Sequence, residues 1–374
     1  MTNIGLTSYP FVRPASQARR LGFGIIILLF LCLVTAPFYV NLVARDTPDV
    51  TQGVISFKNM DALSRPVELK GNWAFIWRSG AGNKASNTSK PAFIRVPGKW
   101  SDDRAQNEGG FPAQGLGSYR LLIKGLHPGG YRLYVPVGYN ATQVSINGAI
   151  VSRHGTLGQN AATTSYEARS HEVFFSADGR DITLAIDIVA FLHRDNGLET
   201  PPVLGPPLTM QYWTALQWGQ EFLFHTTLVL LGTFGLGVFL FRRSDKPSLY
   251  LAISSFLFLV PSAIQGFDNI FLMAFPGFSF GQMLAAHYIS TTLSLGFFLA
   301  YAHALFPNES PERAYRIMLS IFAVQAAIQC AGFLIGGTLL ASRVNIGLMF
   351  VMQLVFLYIF VVLVRAVRNN RDGA

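Results

Sequence analysis

The sequence predicts a mixed membrane protein, in which an all-β domain is set into a block of membrane helices. Three observations carry this. Only 13% of the residues are charged and 51% are hydrophobic, whereas soluble domains carry about 25% charge. Six windows, 21–44, 219–241, 248–267, 281–306, 315–337 and 344–364, are almost free of charge and long enough to cross about 30 Å of hydrocarbon. Between the first two, residues 46–218 run in short alternating apolar segments with no helical period, and their length is that of one domain.

Charge orients these elements. Residues 46–218 hold 16 basic and 14 acidic residues, so the formal net charge of +9 resides mainly elsewhere. It is concentrated in the clusters Arg13/Arg19/Arg20, Arg242/Arg243/Lys246, Arg313/Arg316 and Arg365/Arg368/Arg371. With six spans all four clusters fall on one side, and the positive-inside rule makes that side the cytoplasm. The expected order is a cytoplasmic tail 1–20, an anchor 21–44, an outward domain 46–218, a helical membrane domain 219–367 with five spans, and a cytoplasmic tail 368–374. The "NLVA" before Arg45 resembles a small-residue cleavage site, but 24 residues is long for a signal's apolar core, so an uncleaved anchor is expected. A topogenic basic excess excludes nucleic acid as a partner and names membrane lipid as one.

Cys32 and Cys330 both lie in predicted spans. The outward domain has no disulfide framework and must rely on its own core, which its length allows. No Cys/His cluster has zinc spacing, and neither a P-loop nor a nucleophile elbow occurs. No cofactor, metal or catalytic residue is expected.

Within the outward domain "NWAFIW" puts Trp73, Phe75 and Trp77 on one strand face, and "SYRLLIKG", "YRLYVPV", "TQVSI" and "DITLAIDIVA" continue the alternation from Val67 to Ala190. Asn147-Gly148 and Asp178-Gly179 lie between apolar runs, where residues that accept positive φ make tight hairpin turns. An antiparallel all-β fold follows. The long polar loops 80–90 and 101–117 are places for ligand contacts.

The segments "GNWAFIW", "FIRVPGKW", "GLGSYRLLI", "VSINGAIVSRHGTLG" and "IVAFLHRDNGLETPPVLG", in that order before a multi-span block, resemble the bacterial seven-transmembrane receptors with diverse intracellular signalling modules. "LFRRSDKPSLYLAISSF" is similar to that family's link between its first two core helices. "FLAYAHALFPNESPERAYR" is similar to its third helix leaving the membrane. The resemblance covers residues 67–374. It implies that the outer domain is a periplasmic jelly roll, similar to carbohydrate-binding modules and galactose-binding-like domains, in a protein of the bacterial inner membrane. Counted from Gly219, five of the family's seven core helices are expected, with the cytoplasmic output module absent from this chain.

Trp73 and Trp77 share a face with Phe75, which reads as core. Trp100 follows a Pro-Gly turn and opens a polar loop, a place to line a ligand groove. Of Tyr119 and Arg120, one points inward and the other out; Arg120 can hold a carboxylate or sugar hydroxyls bidentately or form a structural ion pair. "LHRDNG" gathers His193, Arg194 and Asp195 at the end of the last long strand, where a rim collects donors and acceptors, although Asp195 can also close a local turn. The candidate ligand residues are therefore Trp100, Tyr119, Arg120, His193, Arg194 and Asp195. A structural calcium is conceivable in such a domain, but no dense acidic loop supports it.

In the membrane half His225, Asp268, His287 and His303 are unusual, because ionisable groups at membrane depth are costly; three lie at or just beyond span ends, where an interfacial role suffices. "DNIFLMAFPGFSF" (268–280) is too short to span and is broken by Pro276-Gly277, so it reads as an interfacial or re-entrant loop under the outer domain. Gly232, Gly235 and Gly237 allow close helix approach, within the bundle or in a homodimer.

The expected function is a sensory receptor that binds a periplasmic ligand, a carbohydrate or envelope fragment, and signals through the helical bundle to a cytoplasmic output module absent from this chain, supplied by a separate cytoplasmic signalling protein or by a longer form of the receptor. The rival is a membrane-anchored binding or scaffold protein, or transporter accessory subunit, without signalling output. An enzyme acting on envelope sugars lacks an identifiable carboxylate pair.

Overall fold

The computed structural model describes residues 48–57, 65–78, 92–102 and 111–369. The expected anchor 21–44, the tail 1–20, the loop 80–90 and residues 103–110 of the loop 101–117 lie outside them.

The β region consists of two sheets over one core. The larger has the order β4 (Ala92–Val96), β3 (Gly71–Arg78), β5 (Gly115–Lys124), β10 (Ile182–Ala190), β7 (Ala141–Ile146) and β8 (Ala149–His154), with β1 (Val54–Ser56) parallel to the end of β5. The smaller has the order β2 (Val67–Glu68), β11 (Val203–Gly205), β6 (Gly129–Val135) and β9 (His171–Ala177). Apart from β1 the pairings are antiparallel. Inward residues of both sheets, among them Trp73, Phe75, Ile94, Tyr119, Leu133, Val173 and Ile186, form one buried cluster. Phe75 meets Tyr119 edge-on at 4.9 Å, a contact that contributes about 0.5–1.5 kcal/mol beyond its buried area.

Local signals explain the turns and the glycines. Asn147 and Gly148 adopt φ of 49° and 82° between β7 and β8, the conformation a two-residue hairpin requires. In "GLG" at the start of β5, a Cβ on Gly115 would stand 2.5 Å from Trp77 and one on Gly117 2.7 Å from Phe75. The glycines make room for the aromatic core. The alternation reading missed β1 and β11, which at three residues each are too short to show a period.

The helices are α1 (Pro207–Phe241), α2 (Lys246–Gln265), the short α3 (Ile270–Ala274), α4 (Phe280–Leu305) and α5 (Glu312–Arg368). Of these, α1, α2, α4 and α5 are long and apolar enough to cross a membrane. They expose large apolar side chains such as Phe234, Phe241, Leu334 and Ile335, a surface that water does not tolerate but lipid does. α5 breaks at Gly337, with φ 62° and ψ −155°. Its arms run back along each other, as the bonds of Gln325 to the Val344 carbonyl and Gln329 to the Ala341 carbonyl record. Ser279 and Gln282 cap α4 reciprocally, the capping box that satisfies two orphan amides.

The helical half begins at Pro207 rather than at the expected Gly219. Pro206-Pro207 starts α1, because proline suits the first helical turn. Residues 207–218, read as part of the β domain, are helix; their polar Gln211 and Gln217 kept them out of the apolar window. Gly232 and Gly235 face α2, where a Cβ would stand 2.8 Å from Phe256 and 2.7 Å from the Ser248 carbonyl, whereas Gly237 faces open space.

Candidate functional site

Two strand ends position the site. β6 stops at Val135 and leads into 136–140; β10 stops at Ala190 and leads into 191–200. Both segments lie over the helix ends, and the segment 268–280 packs under the β region as its broken apolar pattern predicts. Tyr134 donates to the Phe267 carbonyl, Arg169 donates to the Leu272 carbonyl at 3.3 Å, and the Ser170 amide donates to Asp268 at 3.3 Å. Ala141, Tyr166 and Val189 from the β region share a buried cluster with Phe271, Phe280, Met283 and Tyr288 from the helices.

At this junction lies a cavity of about 350 Å³. Tyr139, His193, Arg194, Asp195 and Glu199 line it from the β region, and Gln265, His287, Tyr288, Asn345 and Met349 from α2, α4 and the second arm of α5.

His193 is buried at 1% exposure. Its Nδ1 accepts from the Asp195 amide at 3.1 Å, so the ring proton sits on Nε2, which donates to the Tyr288 hydroxyl at 3.1 Å. Burial pushes the imidazole pKa down to about 4, against the pull of Asp195. The ring is a neutral link between β region and bundle. Tyr139 packs 4.8 Å from it, and burial raises that phenol's pKa, so it too stays neutral.

Charges gather on the open side. Lys99 pairs with Asp195 and lies 3.6 Å from Glu199. Burial opposes the ammonium charge, but the bond to Asp195 and the two carboxylates override it and raise the Lys99 pKa. Burial raises the Glu199 pKa. Arg194 Nε stands 3.6 Å from Asp195 and makes no hydrogen bond although buried. Arg194, the carboxylates of Asp195 and Glu199, and neutral hydroxyls and amides line one cavity, with Lys99 behind the carboxylates, and can exchange hydrogen bonds with a polyhydroxylated ligand.

Of the six residues expected to bind ligand, the structure brings His193, Arg194 and Asp195 together on this cavity. Trp100 is corrected to core: it is fully buried, its Nε1 donates to the Pro112 carbonyl at 2.9 Å, and its ring meets Trp77 at 5.3 Å. Tyr119 is likewise core, its hydroxyl accepting from the Leu198 amide at 3.3 Å. Alternation along β5 turns Tyr119 in and Arg120 out, where Arg120 pairs with Asp187 at 2.9 Å; of its two readings, the structural ion pair is the one observed. Trp73 and Trp77 belong to the core as read.

Sequence reasoning missed Tyr139, Glu199, Tyr288 and Asn345 as site residues. Only His287 gave a signal, as an ionisable group inside an apolar window; it accepts from Gln265 at 2.7 Å. His303, at the other end of α4, bonds Ser310 at 2.8 Å and stacks on Tyr315 at 4.0 Å.

No protein-family model and no curated protein matches this chain. Solved structures that are similar over part of it include a β-glucuronidase of Faecalibacterium prausnitzii, at 14% identity and TM-score 0.28 over 37% of this chain and 31% of that one. A GH2 β-galacturonidase of Eisenbergiella tayi bound to galacturonate matches at 17% identity and TM-score 0.28, over 40% and 26% of the two chains. A β-D-glucuronidase of Dictyoglomus thermophilum matches at 13% identity and TM-score 0.27, over 41% and 30%. The chain thus spans about a third or less of the length of these structures.

Proposed function

We propose that this chain is a sensory receptor of the bacterial inner membrane, related to the seven-transmembrane receptors with diverse intracellular signalling modules. Its β region is a galactose-binding-like jelly roll in the periplasm. The junction cavity takes a carbohydrate or envelope fragment, and the helices carry the response to the cytoplasmic side.

The observation that carries this reading is that the cavity draws its walls from both halves. A ligand there touches Arg194 and Glu199 on one side and Tyr288 and Asn345 on the other, so its affinity depends on how the helices are arranged. That dependence is the condition for coupling. A tenfold preference for one arrangement is worth about 1.4 kcal/mol, so the two arrangements must be nearly balanced without ligand. The topology agrees with the charge pattern: Arg242, Arg243 and Lys246 follow α1, Arg313 and Arg316 open α5, and Arg365 and Arg368 close it, all at the bundle end away from the β region.

A glycan array probed with the full chain in nanodiscs identifies the ligand. Cysteines are then placed at Gly232 and Phe256, which face each other between α1 and α2, in a background where Cys32 and Cys330 are serine. The receptor reading expects the bound glycan to change the disulfide crosslinking rate between them. Binding with an unchanged rate supports the passive scaffold instead.

A further inference from the structure

A second cavity, of about 590 Å³, lies inside the bundle, next to the junction cavity. Its walls come from α1, α2, α4 and the second arm of α5. Four polar atoms belonging to its lining residues are buried without a hydrogen-bond partner: Glu221 Oε1, His225 Nε2, His287 Nδ1 and Asn345 Oδ1. Glu221, His287 and Asn345 are each more than nine-tenths buried. A carboxylate left this way among apolar helices is expensive unless something pairs with it.

The remaining bonds fix what each orphan can do. Glu221 Oε2 accepts from the Phe267 amide at 3.0 Å, leaving Oε1 as a free acceptor. His225 Nδ1 donates to the Glu221 carbonyl at 2.8 Å, so its Nε2 carries a lone pair. Asn345 Oδ1 is an acceptor. His287 Nε2 accepts from Gln265, so its Nδ1 is the one donor. Three acceptors, one of them anionic, against a single donor match a ligand group that is cationic and rich in N–H bonds. Gly266 leaves room for the carboxylate, because a Cβ there would stand 1.7 Å from Glu221 Oε1.

We infer that the bundle cavity binds a primary ammonium group, with Glu221 as its counter-ion and His225 and Asn345 as its further acceptors. The group is carried either by a soluble amine or by the ethanolamine headgroup of a lipid. The inference rests on the bundle alone and is independent of the receptor reading.

The test uses the full chain in phosphatidylglycerol nanodiscs. Ethanolamine and putrescine are titrated by calorimetry, with ethylene glycol and butanediol as uncharged counterparts; in a second arm phosphatidylethanolamine is added to the nanodisc and thermal stabilisation is read. The ammonium probes should bind with Kd of about 1 mM or tighter, their uncharged counterparts should not, and Glu221→Gln should weaken binding at least about tenfold. Where Glu221→Gln does not fold, His225→Phe, which removes an imidazole that lines this cavity and not the other, should weaken it measurably. Response in the first arm assigns a soluble amine, response in the second a headgroup. No response in either arm, equal binding of the uncharged counterparts, or undiminished binding by the folded variant overturns the inference.

Discussion

The main-chain amide of Arg194 donates to the hydroxyl of Ser342 at 3.0 Å, and that hydroxyl donates onward to the Leu339 carbonyl at 2.8 Å. A residue on the rim of the β region is thereby bonded to the turn side of the last helical arm. Ser342 is fully buried, so water does not replace it. Ser342→Ala leaves the Arg194 amide unsatisfied and should lower stability by about 1–3 kcal/mol, read as a lower denaturation midpoint of the full chain in detergent.

Trp100 distinguishes a folding role from a binding one. Its ring fills space beside Phe75 and Trp77, so Trp100→Ala should cost about 3–5 kcal/mol of stability. Ligand affinity of the fraction that remains folded should be unchanged. A variant of normal stability that has lost binding would return Trp100 to the ligand groove.

Stability should fall in mild acid. Burial depresses the His193 pKa to about 4, and burial with the neighbouring His154 depresses that of His171 to about 3, both from an ordinary 6.5. The unfolded chain binds protons at pH 6.5 and below, while the folded chain resists until pH 4 to 3. Stability is therefore full above pH 6.5 and falls as the pH drops from there toward the folded values, at about 1.4 kcal/mol per pH unit for each histidine. His171→Asn should flatten the slope over that window, measured by denaturation at a series of pH values.

Gly337 sits where only glycine is comfortable, at φ 62° and ψ −155°, and a Cβ there would meet no atom within 4 Å. Gly337→Ala should thus cost about 1–3 kcal/mol through backbone conformation alone. Gly232→Ala meets Phe256 at 2.8 Å and should be destabilising through packing instead, so Phe256→Ala should relieve the second variant and not the first.

Features repeated along the chain were legible in the sequence. The apolar windows located the helices, and alternation located most of the strands, including the inward face of Trp73 and Phe75. The loop 268–280 was legible too, because Pro276-Gly277 breaks an apolar run too short to span. The site was half legible. "LHRDNG" gathers polar groups at a strand end, where a rim collects donors and acceptors, and His193, Arg194 and Asp195 line the cavity. Tyr139 and Asn345 gave no such signal, since a single tyrosine in a loop and a single asparagine in a helix carry no period. Trp100 misled because the Pro-Gly turn before it and the polar loop after it suggest exposure, and Tyr119 because the glycines and the alternation after "GLG" leave open which of Tyr119 and Arg120 turns inward. The glycines instead clear space for the indole and phenyl rings, which only the packed structure reveals.

The central claim, that one ligand touches both halves of the molecule, is tested most directly by hydrogen exchange of the full chain in nanodiscs, with and without the glycan the array identifies. Slower exchange in 193–199 together with 284–291 and 341–349 is the predicted result. Protection confined to the β region, with both helical segments unchanged at saturating glycan, would contradict it.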